Sequence, residues 1–292
     1  MIYKNLFKVH LSYVLVLLLF AGVYAVLGLF DNLEKNFMLL HTNNMVMGSV
    51  LTILVLLFFQ KHIKKHVRDM GWKFNLLDAT FLFVILIVTA IIAGLFIITL
   101  QSNGRLHFEV RIERFREMNY YFLIFWALLG WFIAALKEEV LSRGYVLFSI
   151  QKLNFGMMLF VSAVLFMLLH IPTGGFDLIR MGSWFMGGLV YAFIYLKSGS
   201  ISVVTVVHMI HNFINDWVLG QYHEFTIVEL SQKVQSEDKL LYEIVLKLAF
   251  FLIALLFYGR NGVTTPAENL RTLWNKRRNN PSSHFELYDS QK

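Results

Sequence analysis

The chain contains no cysteine, which removes disulfide scaffolds, thiolate metal sites and cysteine nucleophiles together. Three prolines in 292 residues leave no Pro-rich linker or ligand tract, and no Gly- or Ser-rich stretch separates two folding units. Charge is scarce as well. Asp, Glu, Lys and Arg supply 15% of the residues, against about 25% in ordinary soluble chains, and that deficit excludes a common water-soluble enzyme.

What is present is apolar surface, 57% of the residues with 28 Phe among them, so most of the length is expected to face lipid or other helices. A span of about 20 apolar residues crosses roughly 30 Å of hydrocarbon. Eight candidates read out: 11–30, 45–59 (with an extension back to 40), 81–100, a long one starting near 121, 156–171, 181–196, 201–219 and 241–258. The first is too long for a secretory signal peptide and lacks a small-residue cleavage site, so it reads as an anchor. Runs such as Leu82-Phe83-Val84-Ile85-Leu86-Ile87-Val88 are apolar all round, without the alternation of barrel strands. The expectation is an all-α, polytopic integral membrane protein with about eight transmembrane helices. It forms one helical domain over 1–260, followed by a basic, soluble tail over 261–292.

Lys and Arg set the orientation. With the N-terminus inside, the inner segments hold Lys61, Lys64, Lys65, Arg68 and Lys73, then Lys152, Lys197 and the basic tail. Arg105, Arg111, Arg114 and Arg116 oppose this but stand among Glu109, Glu113 and Glu117. The reading is a multi-pass protein of a bacterial plasma membrane with both termini cytoplasmic. The formal net charge of +7 then marks topology and the anionic leaflet, so the lipid bilayer is the partner and nucleic acid is not. Phe108, Ile112 and Phe115 recur at helical spacing and suggest an amphipathic interfacial helix over 107–118. Thr265-Pro266-Ala267-Glu268 carries helix-start signals for a short tail helix reaching Trp274, and 279–292 reads as disordered.

Function must come from ionisable groups inside these spans, because each costs several kcal/mol at mid-bilayer. The fourth span contains Lys137-Glu138-Glu139-Val140-Leu141-Ser142-Arg143. Glu139 and Arg143 are four apart and pair on one face, which leaves Glu138 uncommitted. His170 ends an otherwise apolar span. With a turn at Asn154-Phe155-Gly156, Glu138 lies sixteen residues before Asn154 and His170 sixteen after. In an antiparallel hairpin both reach about 24 Å from the turn and meet. The seventh span carries His208-Met209-Ile210-His211-Asn212, then Asn215 and Asp216. The i, i+4 spacing offers two pairs, His208 with Asn212 and His211 with Asn215, and spacing alone does not choose. A zinc site from His170, His208 and His211 is the metal alternative, although HxxH without the glutamate of HExxH is a weak signal.

Glu138-Glu139 with Arg143, Phe166 with His170, and His208 with Asn212 resemble the three motifs of the CPBP family of intramembrane proteases, which contains the type II CAAX prenyl proteases and the bacterial Abi proteins. The run from Gly187-Gly188 to Ser198-Gly199-Ser200 resembles the family's approach to the third motif, and the distance from Ser200 favours His208 and Asn212 over His211 and Asn215. The resemblance covers about 126–217. Ser142 departs from the bulky apolar residue often found there.

The resemblance implies an intramembrane endopeptidase without metal or other cofactor. Glu138 would act as base, His170 would position water or share the proton, and His208 with Asn212 would form an oxyanion site. Glu139 and Arg143 would be the supporting pair, and the substrate a membrane-associated peptide or protein. Two readings from other classes stand beside it: a membrane scaffold or regulator of the same family, immunity-like and acting without proteolysis, and a proton-relaying transporter. No internal repeat supports the transporter.

Overall fold

A computed structural model describes residues 2–26, 36–220, 225–232 and 234–259. Helices α1 (Ile2–Val26), α2 (Phe37–Phe58) and α3 (Leu76–Ser102) precede α4 (Met118–Glu139), which continues through a π-helical turn, Val140–Tyr145, into Val146–Ser149. They are followed by α5 (Phe155–Gly174), α6 (Leu178–Ser198), α7 (Ile201–Leu219) and α8 (Ser236–Tyr258). Among the described residues, five helical stretches are long and apolar enough to cross a bilayer: Phe37–Ile63, Leu76–Ser102, Met118–Ser149, Leu178–Ser198 and Ser236–Tyr258. Shorter apolar runs lie in α1 and α5. The fold class is therefore all-α, polytopic and membrane-embedded, with five spans clear by length and composition where about eight were expected. Helix α7 falls outside that set because two histidines, two asparagines and Asp216 interrupt its apolar residues.

The outward faces agree with a lipid solvent. On α3, Phe83, Ile87, Ile91, Leu95 and Ile98 are exposed in one stripe, and on α8 Leu241, Val245, Leu248, Leu252 and Leu256 are exposed in another. Contiguous apolar stripes of this length are rare on proteins that face water.

Local signals set the helix starts. Asn154 accepts from the backbone of Met157 at 2.9 Å, Asp177 from Ile179 and Arg180, and Ser200 from Val203, so α5, α6 and α7 each begin at a capped residue. Gly199, at φ 68°, supplies the left-handed turn between α6 and α7.

Successive helices run in opposite directions, which gathers the chain's connections on two faces. On one, Tyr195 Oη donates to the Met70 carbonyl, Ser200 Oγ to that of Lys73, and Tyr258 Oη to Asp78. That face holds the starts of α1, α3, α5 and α7. On the other, Arg105 pairs with Asp238 and two short strands meet.

Those strands correct the expected amphipathic helix over 107–118. Phe108–Val110 (β1) pairs antiparallel with Val228–Leu230 (β2), Phe108 opposite Leu230 and Val110 opposite Val228, and a 3-10 turn follows over Ile112–Arg116. Helical spacing of three apolar residues was outweighed by backbone bonds to a segment more than a hundred residues away, and Ile112 remains 67% exposed. The first helix begins at Ile2, nine residues before the apolar run that marked it, and 27–30 lie outside the described residues. The tail readings over 261–292 lie outside the described residues.

Candidate active site

The site is built where α4 gives way to its π-helical turn. A π turn adds one residue to the helical cycle and recurs at functional positions. Here it directly follows Glu138 and Glu139, and every residue from Val140 to Tyr145 is buried. Arg143 Nε lies 3.0 Å from Glu139 Oε2 with both side chains fully buried. Its Nη2 donates to the Gly188 carbonyl at 3.1 Å, and its Cζ stands 4.4 Å from the centre of the Phe166 ring. One cation therefore ties α4 to α5 and α6.

Gly188 permits that closeness. A Cβ there would stand 2.7 Å from the Ala163 Cα, inside any tolerable contact, so α5 and α6 pack backbone to backbone only with glycine at 188. The packing brings Trp184 of α6 over His170 of α5, ring centres 5.1 Å apart and nearly parallel.

Glu138 and His170 are brought together, Oε2 to Nε2, at 3.4 Å. His170 Nδ1 is held by the Phe166 carbonyl at 2.8 Å, one helical turn back, so the ring presents Nε2 to Glu138. A carbonyl only accepts, which places a proton on Nδ1. Either His170 carries a second proton on Nε2 or Glu138 carries one, since a lone pair and a carboxylate oxygen do not attract. The pair is thus arranged to share and move a proton.

His208 completes the group. Its Nε2 lies 3.9 Å from Glu138 Oε2, and its Nδ1 donates to Glu139 Oε1 at 2.8 Å. The ring is stacked on Tyr191, centre to centre 4.6 Å. Glu139, expected only as the partner of Arg143, therefore also fixes the plane of the histidine from the third motif. Lys137 adds a buried ammonium 4.0 Å from Glu138 Oε1.

A cavity of about 550 Å³ opens onto these groups, with Glu138, His170, His208, Asn212 and Trp184 along its wall. Asn212 lies one turn beyond His208 on the same face of α7.

His211 and Asn215 fall into a second cluster that lines the same cavity. His211 Nδ1 meets Tyr191 Oη at 2.8 Å, and its Nε2 lies 3.1 Å from Glu243 Oε2 and 2.9 Å from Lys247 Nζ. Asn215 donates to Glu243 Oε1 at 3.1 Å and accepts from Tyr242 Oη at 2.6 Å. Lys247 and Glu243, both buried on α8, were not singled out from the sequence. The signal was present: an acid and a base at i, i+4 inside the last apolar span, the same anomaly that marks Glu138 in the fourth. The alternative zinc set is not assembled, because His211 turns to Glu243 and Lys247 while His170 and His208 turn to Glu138. Among the described residues no group of three or more His, Asp or Glu has metal-holding geometry.

Residues 120–214 match the family model of the Rce1-like proteins, described as type II CAAX prenyl endopeptidase Rce1-like. That stretch is similar to the CAAX prenyl endopeptidases. The resemblance drawn from the three motifs is borne out over these residues, which include Glu138, Glu139, Arg143, His170, His208 and Asn212. No curated protein matches the chain. Of the residues along the cavity, Glu138, His170, His208, His211 and Asn212 lie within the matched stretch, while Asn215, Glu243 and Lys247 lie beyond it.

Proposed function

We propose that the protein is an intramembrane endopeptidase that hydrolyses a peptide bond of a membrane-associated peptide or protein. The observation that carries this reading is the position of Glu138, within 3.4 Å of His170 and 3.9 Å of His208 at the wall of one cavity, inside the stretch similar to CAAX prenyl endopeptidases.

Glu138 takes a proton from water as the oxygen attacks the carbonyl carbon, and the Glu138–His170 pair delivers that proton to the leaving amine. His208 and Asn212 face the oxygen on which negative charge develops. Nδ1 of His208 is committed to Glu139, so Nε2 is the ring atom left to meet that oxygen. Glu139 and Arg143 hold this arrangement and do not touch the substrate. In this reading residues 1–260 form one transmembrane unit with the basic tail over 261–292 and both ends cytoplasmic, and no cofactor takes part.

The test is cleavage of a fluorogenic peptide library by detergent-purified protein, wild type against Glu138→Gln, each with and without a strong zinc chelator. Cleavage that survives the chelator and disappears in Glu138→Gln is the expected result. Cleavage abolished by the chelator would move His170, His208 and His211 into a metal site, and cleavage retained by Glu138→Gln would end the glutamate mechanism.

A further inference from the structure

The cavity wall is shared unequally between the two faces of the bundle. Along α7 the lining begins at His208, seven residues after the start of the helix at Ile201, about 10 Å along the axis at 1.5 Å per residue. From there the lining runs away from that start. It includes Asn215 near the end of α7, Ser183 and Arg180 in the first turns of α6, and Ser236 and Lys239 in the first turn of α8. All of these lie toward the face that carries β1 and β2. None of the lining comes from the connections at 64–75, 150–154 or 199–200, which close the opposite end. There Gly71 packs so tightly on Gly199 that a Cβ would stand 2.0 Å from its carbonyl oxygen. Water and peptide therefore reach Glu138 from the strand-bearing face.

The closed face is the one that gathers Lys61, Lys64, Lys65, Arg68, Lys73, Lys152 and Lys197, together with both ends of the described bundle. Lys and Arg beside membrane spans collect on the cytoplasmic side. The strand-bearing face carries fewer, Arg105, Arg111, Arg114, Arg116, Arg180 and Lys239, of which Arg105 pairs with Asp238 of α8 and Arg111 with Glu229 of β2.

We propose that the cavity is loaded from the extracytoplasmic side, so that the bond it takes belongs to a peptide segment on that side of the membrane: a secreted peptide, or the outer juxtamembrane segment of a membrane protein. The choice of substrate rests on the peptidase reading, whereas the direction of opening does not.

The absence of cysteine makes a direct test available. Single variants Lys239→Cys, at the mouth, and Lys152→Cys, on the closed face, are both at exposed positions. Each is treated with a membrane-impermeant maleimide in sealed right-side-out vesicles, before and after permeabilisation. The expected pattern is labelling of Lys239→Cys without permeabilisation and of Lys152→Cys only after it. The reverse pattern would overturn the proposal by turning the mouth to the cytoplasm. A peptide cleaved by purified wild type is then added outside the sealed vesicles. Cleavage there without permeabilisation is expected, and cleavage only after permeabilisation would overturn the assignment of substrate side. The labelling requires no activity, so a failed peptidase reading leaves its result intact and is recognised separately by cleavage that Glu138→Gln retains.

Discussion

Glu139 and His208, 69 positions apart in the chain, share a hydrogen bond of 2.8 Å from Nδ1 to Oε1, while the other oxygen of the same carboxylate faces Arg143. One buried anion therefore serves two motifs: it balances the guanidinium on its own helix and sets the ring plane of the histidine on α7. Replacing it by glutamine preserves shape but leaves Arg143 buried without a counter-charge, an error that costs about 3–5 kcal/mol where measured in other proteins. Glu139→Gln is thus expected to lower the thermal midpoint in detergent by many degrees, and to lower kcat in the fraction that remains folded. An unchanged midpoint would mean that the pair is solvated or otherwise compensated.

Glu138 and His170 should behave in the opposite way. Their side chains are 18% and 22% exposed on the cavity wall, so neither supports the packing as Glu139 does. Glu138→Gln and His170→Ala are expected to insert and melt close to wild type while losing about 10²–10⁴ in kcat, the usual worth of a positioned acid or base. A melting shift as large as that of Glu139→Gln, with activity per folded molecule intact, would reassign them as structural residues.

The meeting of Glu138 and His170 was legible because both lie in an antiparallel hairpin whose turn is marked by Asn154. Equal counting on the two arms gives equal depth without any knowledge of other helices. The hydrogen bond from His208 to Glu139 was not legible, since it depends on where α7 packs against α4 and on a π turn that no spacing rule announces. The strand pair shows the same limit from the other side: Phe108, Ile112 and Phe115 fit a helix locally, and the bonds that decide against it come from Val228–Leu230. Glu243 and Lys247 were legible in principle, as charges inside an apolar span, but no short motif drew attention to them.

Those two residues support a third prediction. Lys247 Nζ and Glu243 Oε2 are 3.0 Å apart, and both side chains are almost wholly buried. Removing one partner strands the other, so Glu243→Leu and Lys247→Met are each expected to destabilise strongly, while the double variant Glu243→Leu/Lys247→Met should recover much of the loss. A double-mutant cycle on thermal or denaturant unfolding measures the coupling. Additive losses would show that the contact contributes nothing of its own.

The two His–Asn pairs of α7 can be separated by the asparagines. Asn212 faces the cavity beside His208 and Glu138, whereas Asn215 spends its amide on Glu243 and its carbonyl oxygen on Tyr242. If Asn212 meets the oxygen that becomes negative, Asn212→Ala loses about 10²–10³ in kcat with little change in KM, because that contact strengthens only as the charge develops. Asn215→Ala instead leaves buried partners unsatisfied, which costs about 1–3 kcal/mol of stability, and its kcat per folded molecule should fall far less. Steady-state kinetics on both variants, corrected for folded fraction, decide between the pairs. A larger kcat loss in Asn215→Ala would transfer the oxyanion role to His211 and Asn215, and with it the reacting carbonyl to the α8 wall of the cavity.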